Sequence, residues 1–215
     1  DGPVVGITGS VGKTTTRSLT ALALRTYGEV HHTRGNLNNH VGLPLTLLKM
    51  PPTTKVCVLE MGMSGFGEIQ RLAEIARPTI RLITNVAPVH LEGVGGNLEG
   101  VAKAKGELFA TAAAGDVCIV NADDEHVAAL LLSAPPNCKV LMFGNGSSAA
   151  VAARKRLSRI SKRRDGRKRL PPDVIFNDVQ SLELREVSFT LERNTLEINK
   201  YLAAGGEGGG GAAAA

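Results

Sequence analysis

Five apolar runs punctuate the first two-thirds of the chain, at residues 4–8, 56–60, 80–85, 117–121 and 140–143. They are near-continuous rather than alternating, the pattern of strands covered on both faces. Between them, apolar positions recur at helical spacing. Residues 13–27 place Leu19, Leu22, Ala23 and the aliphatic part of Thr26 on one face, with Gly28 as a stop. Residues 66–76 carry Ile69, Leu72, Ala73 and Ala76 and end before Pro78. Residues 98–114 are Ala-rich and close at Gly115, and residues 124–132 lead to Pro135-Pro136. Strands alternating with helices predict an α/β fold, a mostly parallel open sheet with flanking helices.

Past Phe143 the pattern breaks. Residues 154–169 hold ten Lys/Arg and one Asp, a net +9 that leaves −4 on the rest of a chain whose total is +5. Such a density of like charge cannot collapse, so residues 151–172 are expected to form a solvated, disordered insertion after a main domain at 1–150. Residues 173–203 read as a β-containing continuation, with strand-like runs at 174–176 and 186–191, and 204–215 as a low-complexity Gly/Ala tail. Without interleaved aromatics, the basic run is expected to be a solvated loop rather than a nucleic-acid arm.

The 215 residues suit one domain with appendages, and no stretch approaches the roughly 20 apolar residues of a membrane span. The start reads as neither signal nor transit peptide, and without an initiator Met the sequence is expected to be a fragment. Three scattered cysteines make neither a disulfide framework nor a zinc site. Cys57 and Cys118 lie in apolar runs, where buried reduced thiols are expected.

Candidate chemistry concentrates where the first strand, VVGIT, runs into GSVGKTTT and a helix. This is the context of a phosphate-binding loop. Backbone N–H groups converge on phosphate oxygens, and the helix N-terminus adds partial positive charge. Gly9, Ser10, Val11, Gly12, Lys13, Thr14 and Thr15 are the candidate nucleotide-binding residues, with Lys13 reaching the β- and γ-phosphates and the Thr14 hydroxyl ligating Mg²⁺. The general pattern places a glycine five residues before Gly12, where this chain has Ile7. Glu60 and His90 both follow strand ends beside that loop, where ligands bind in open α/β sheets.

The stretch GITGSVGKTTT resembles the Mur ligases and the related folylpolyglutamate and cyanophycin synthetases. The segments GNLNNHVGLPLTLL (35–48), EMGMSGFGEI (60–69), NVAPVHLEGVGGNLEGVAKAKGELF (85–109) and VNADD (120–124) resemble the Mur branch that joins D-Ala-D-Ala to UDP-N-acetylmuramoyl-tripeptide. The resemblance covers about two-thirds of the chain. It implies the central domain of that family and ATP-dependent amide-bond formation for peptidoglycan. ATP would phosphorylate a peptide carboxylate, and an incoming amine would displace phosphate from the acyl phosphate. It also implies a metal set of Thr14, Glu60, His90 and Lys105, the last as a carbamate made with CO₂, and catalytic roles for Lys13, Glu60, His90 and Lys105. Asn36 and Asn39 would face the peptide substrate, whereas His31, His32 and His126 are expected at the surface.

The implied cofactors are ATP and Mg²⁺, and the implied partners are a UDP-N-acetylmuramoyl-peptide and an amino acid or dipeptide. A monomer is expected, in a bacterial cytoplasm or, in a eukaryote, a plastid stroma. The family's UDP-binding and C-terminal domains, and its adenine-contacting H-N-x-x-N-x-x-A-A motif, are absent from the sequence. The isolated chain is therefore expected to be inactive alone. Two other readings stand beside this one. The first is a non-catalytic nucleotide-binding remnant. The second is another phosphate-loop class, such as a kinase or a GTPase, although the N-K-x-D base reader of GTPases is missing.

Overall fold

The computed structural model describes residues 2–135 and 137–144, and the backbone of 175–176. Contacts divide the chain between Val179 and Gln180, and residues 180–215 lie wholly outside the described ones. The basic segment at 151–172, the run at 186–191 and the Gly/Ala tail also fall outside them.

The elements run β1 (Val4–Thr8), α1 (Lys13–Leu24), β2 (Val30–His32), α2 (Gly42–Leu48), β3 (Val56–Glu60), α3 (Glu68–Ala76), β4 (Ile80–Ile83), α4 (Leu98–Ala110), β5 (Val117–Asn121), α5 (Glu125–Leu130), β6 (Lys139–Phe143) and β7 (Ile175–Phe176). A seven-stranded sheet has the order β2-β3-β1-β4-β5-β6-β7, and every pairing is parallel. The order reverses at β1, so the C-terminal ends of β1, β3 and β4 open onto one crevice, the usual ligand site of such a sheet.

β1 and β3 are buried on both faces, each face with its own core, whereas β4, β5 and β6 alternate buried with half-buried or exposed positions. Val5, Ile7, Val56 and Val58 point to the α1 side and pack with Ala21. Cys57, Leu59 and Ile83 point the other way, against Leu72, Val101, Leu108 and Phe109 of α3 and α4. Full burial of such an aliphatic or aromatic side chain stabilises the fold by about 1.5–3 kcal/mol.

Several elements depart from expectation. The buried face of α1 is Arg17 and Ala21, with Leu24 packed beside them, whereas Leu19, Ala23 and Thr26 are exposed. Arg17 points inward, toward the Thr33 carbonyl and the Glu60 carboxylate. β4 stops at Ile83 rather than Asn85 because Thr84 and Asn85 turn to bond the loop after β1. α4 ends at Ala110, where the Thr111 hydroxyl bonds back to the Glu107 carbonyl. His31 and His32 are half-buried on β2, not at the surface, and their rings bond the carbonyls of Thr46 and Thr33. All three cysteines are buried and unpaired, and burial pushes the Cys57 thiol to about 11 and Cys118 to about 12. Among the described residues, no helix is long and apolar enough to cross a membrane.

Candidate functional site

The loop from Gly9 to Gly12 leaves β1 and enters α1 through Gly12, whose φ of 80° is left-handed. Gly12 has no side chain to cap the helix, so the N–H groups of its first turn are left without an intrahelical partner, the geometry in which a helix start can take an anion. Gly9 has φ 152°, and a Cβ there would lie 1.9 Å from Thr84 Oγ1, so only glycine fits. Lys13 folds back, its ammonium donating to the carbonyls of Gly9 at 2.9 Å and Ser10 at 3.3 Å.

The segment after β4 braces this loop. Asn85 Oδ1 accepts from the Val11 N–H at 2.9 Å, while its Nδ2 donates to the Val11 carbonyl at 2.9 Å. The Ser10 N–H donates to the Asn85 carbonyl, and the Ser10 hydroxyl both donates to the Ala87 carbonyl and accepts from its N–H. The amides of Ser10 and Val11 therefore hold the loop's shape, which leaves the turn from Gly12 to Thr15 to face an anion. The brace is itself anchored. Asp124 caps α5 with one carboxylate oxygen and takes the Val86 N–H at 2.7 Å with the other, and Asn121 donates to the Thr84 carbonyl.

Glu60, only 2% exposed, ends β3 beside the loop. Its Oε2 accepts from the Thr14 hydroxyl at 2.9 Å, and its Oε1 accepts from Asn38 Nδ2 at 2.8 Å. Arg17 Nε lies 4.0 Å from Oε2, and the same guanidinium donates to the Thr33 carbonyl. The Thr33 hydroxyl in turn accepts the Glu60 N–H at 3.0 Å. Thr14 and Glu60 thus present two adjacent hard oxygens at the mouth of the nest. Among the described residues, no three of His, Cys, Asp and Glu gather as a cage. Two protein oxygens beside a phosphate site fit Mg²⁺, which takes one or two carboxylates together with phosphate oxygens and water.

Lys105 lies on α4 and is 2% exposed. Burial, reinforced by the charge of Lys13, lowers its pKa to about 8. The two lysines therefore share one electrostatic neighbourhood. His90 follows Pro88 as an exposed residue at φ 54°, a left-handed conformation in which histidine is enriched among non-glycine residues. Among the described residues, no bond ties its ring to Glu60 or Lys105. Asn39 Oδ1 accepts from the N–H groups of Val41 and Gly42 and so starts α2. Asn36 is exposed, and its carbonyl accepts from the Asn38 N–H at 2.8 Å.

Reasoning from the sequence assigned no role to Arg17, Asn85 or Asp124, and within the asparagine loop it favoured Asn36 and Asn39 over Asn38. Arg17 sits off the apolar face that the spacing suggested, and Asn38 is one of three similar asparagines. Only Asp124, directly before a helix, carried a local signal as an N-cap.

Residues 7–185 match the Mur ligase middle domain. The UDP-N-acetylmuramoyl-tripeptide--D-alanyl-D-alanine ligase of Synechocystis is 48% identical over 122 residues, 57% of this chain and 27% of that protein. MurF from Acinetobacter baumannii superposes with a TM-score of 0.63 at 33% identity, covering 67% of this chain and 31% of that one. MurF ligase from Thermotoga maritima, solved in complex with ADP, gives a TM-score of 0.61 at 34% identity, covering 68% and 34%. The chain spans about a third or less of the length of these relatives. With a parallel sheet that reverses at β1, an open nest after it and a carboxylate beside that nest, the chain belongs to the Mur ligase family and corresponds to its middle domain.

Proposed function

We propose that this chain is the ATP-binding middle domain of an amide-bond ligase that joins D-Ala-D-Ala to UDP-N-acetylmuramoyl-tripeptide. The observation that carries this reading is the 2.9 Å contact between Thr14 and Glu60 at the edge of the Gly9–Lys13 turn. A nucleotide with a divalent ion would use both halves of that arrangement.

In this reading, the amides of Gly12, Lys13, Thr14 and Thr15, aided by the α1 dipole, hold the terminal phosphates. Lys13 releases the Gly9 and Ser10 carbonyls and places its ammonium against the β- and γ-oxygens. Thr14 and Glu60 would hold Mg²⁺, which would offset the charge of the phosphates and of the substrate carboxylate. Preorganised cations matter here because phosphoryl transfer to a carboxylate brings two anions together. The products of the first step are an acyl phosphate and ADP; the incoming amine then attacks the acyl carbon, gives up a proton and expels phosphate.

Lys105 and His90 would serve a second ion. A lysine pKa of about 8 supports Lys105 in this role, since carbamate formation needs the neutral amine. The carbamate would replace a buried cation beside Lys13 with an anion that attracts it. Asn36 and Asn39 would line the peptide side, and the buried free thiols agree with a reducing compartment, a bacterial cytoplasm or a plastid stroma.

The test joins this chain to the flanking domains of a relative and measures ADP release. Release that requires both UDP-N-acetylmuramoyl-tripeptide and D-Ala-D-Ala, and is lost in Lys13→Ala, supports the reading. Nucleotide binding with no release at all would leave a non-catalytic nucleotide-binding domain.

A further inference from the structure

Between the proposed metal site and the asparagine loop, a single side chain makes the connection. Asn38 donates from Nδ2 to Glu60 Oε1 at 2.8 Å, and its backbone carbonyl accepts the Gly62 N–H at 2.8 Å. Residues on both sides of Met61 therefore grip it. Gly62 allows this closeness, because a Cβ there would lie 2.9 Å from Asn38 Cγ and Oδ1. The loop is held on its other side by Asn39, which starts α2.

We propose that Asn38 is the positioning residue for the metal-binding carboxylate, fixing Glu60 so that it offers Oε2 alone to the ion. The terminal torsion of a glutamate is broad, so a buried carboxylate needs a partner to choose its orientation. Asn38 supplies the donor on Oε1, while Thr14 and Arg17 both lie on the Oε2 side. The amide suits this role because it is a neutral donor that engages one oxygen without neutralising the charge the ion needs. An arginine or lysine there would compete with the ion, and an aspartate would repel the carboxylate. Partners of a metal ligand that orient it in this way typically contribute 10–100-fold to metal affinity.

The inference rests on the proposed function, and the experiment separates the two. ADP affinity of the whole chain is measured by calorimetry with and without Mn²⁺, and Mn²⁺ itself is followed by electron paramagnetic resonance. Asn38→Ala, Asn38→Asp and Gly62→Ala are compared with Glu60→Ala. Gly62→Ala displaces the Asn38 side chain without removing any donor or ligand. The expected result is that each of the three loses about tenfold or more in Mn²⁺ affinity, with Mn²⁺-free ADP affinity within about twofold of the parent. A general loss of structure would lower both affinities together and so count against a positioning role. If Glu60→Ala abolishes the Mn²⁺ dependence while the Asn38 and Gly62 variants keep it, the assignment of Asn38 is wrong and the metal site stands. If the parent chain, folded by circular dichroism, gains no ADP affinity from Mn²⁺, the metal site and the role of Asn38 fall together.

Discussion

The guanidinium of Arg17 and the carboxylate of Glu60 approach to 4.0 Å inside the protein, with both residues no more than 5% exposed. Arg17 Nε has no hydrogen-bond partner, so the Glu60 charge is its main compensation on that side. Removing one partner of a buried pair leaves an uncompensated charge, which costs about 3 kcal/mol or more. Glu60→Gln should therefore lower stability by about that amount in urea titrations. Arg17→Met added to Glu60→Gln should cost less than the two single losses combined. Strict additivity would show that the two charges do not interact.

Lys105 gives a pH dependence with a definite sign. Its folded pKa, about 8, lies below the usual 10.5, so between those values the unfolded chain binds more protons than the folded one. Stability should rise with pH across that window, and the penalty should be fully present below pH 8. Lys105→Met, measured by thermal melts in CO₂-depleted buffer, should stabilise the chain by about 3 kcal/mol at pH 7. The gain should shrink toward zero by about pH 10.5. A gain that is constant with pH would place its origin in packing rather than charge.

Asn85 clamps Val11 through both its N–H and its carbonyl, which belong to successive peptide groups. Asn85→Ala removes both bonds and loosens the loop while leaving every proposed nucleotide contact in place. It should cost about 1–2 kcal/mol of stability and about tenfold in ADP affinity, as read by calorimetry. Unchanged ADP affinity would mean that the nest forms without this brace.

At the opposite end of the strands, Arg81 and Asp116 form a buried pair at 2.8 Å, and the Asp116 carboxylate also accepts the Ala113 N–H. Arg81 further bonds the Leu108 carbonyl and the Thr111 hydroxyl, so the pair ties β4, α4 and the start of β5 together. Asp116→Ala should destabilise the chain by about 3–5 kcal/mol yet leave the ADP affinity of the folded fraction unchanged. A selective loss of ADP affinity would show that this end is coupled to the nest.

The strands and most helices were legible because uninterrupted apolar runs separated by helical spacing mark them, and Gly and Pro mark the ends. Burial on both faces holds for β1 and β3, whereas β4, β5 and β6 alternate. The loop at Gly9 and Gly12 was legible for a related reason: an anion nest needs glycine and lysine at fixed local spacing. β2 and α2 escaped because three half-buried residues and a seven-residue helix containing Pro44 carry too little periodicity. The orientation of α1 escaped because its inward face includes an arginine, which apolar spacing alone assigns to solvent.

By itself, the sequence determined the parallel α/β class, the glycine-bounded turn between β1 and α1 and the family's segments in order, since each is a property of neighbouring residues. Only the tertiary structure decided that Asn38, rather than Asn36 or Asn39, reaches Glu60, that Arg17 turns inward, and that Asn85 and Asp124 brace the loop. Those contacts join positions 22, 46 and 74 residues apart, as in Asn38 to Glu60, Thr14 to Glu60 and Asn85 to Val11. Local pattern reports which surface a residue favours, whereas a hydrogen bond between distant segments exists only once the sheet order has brought them together.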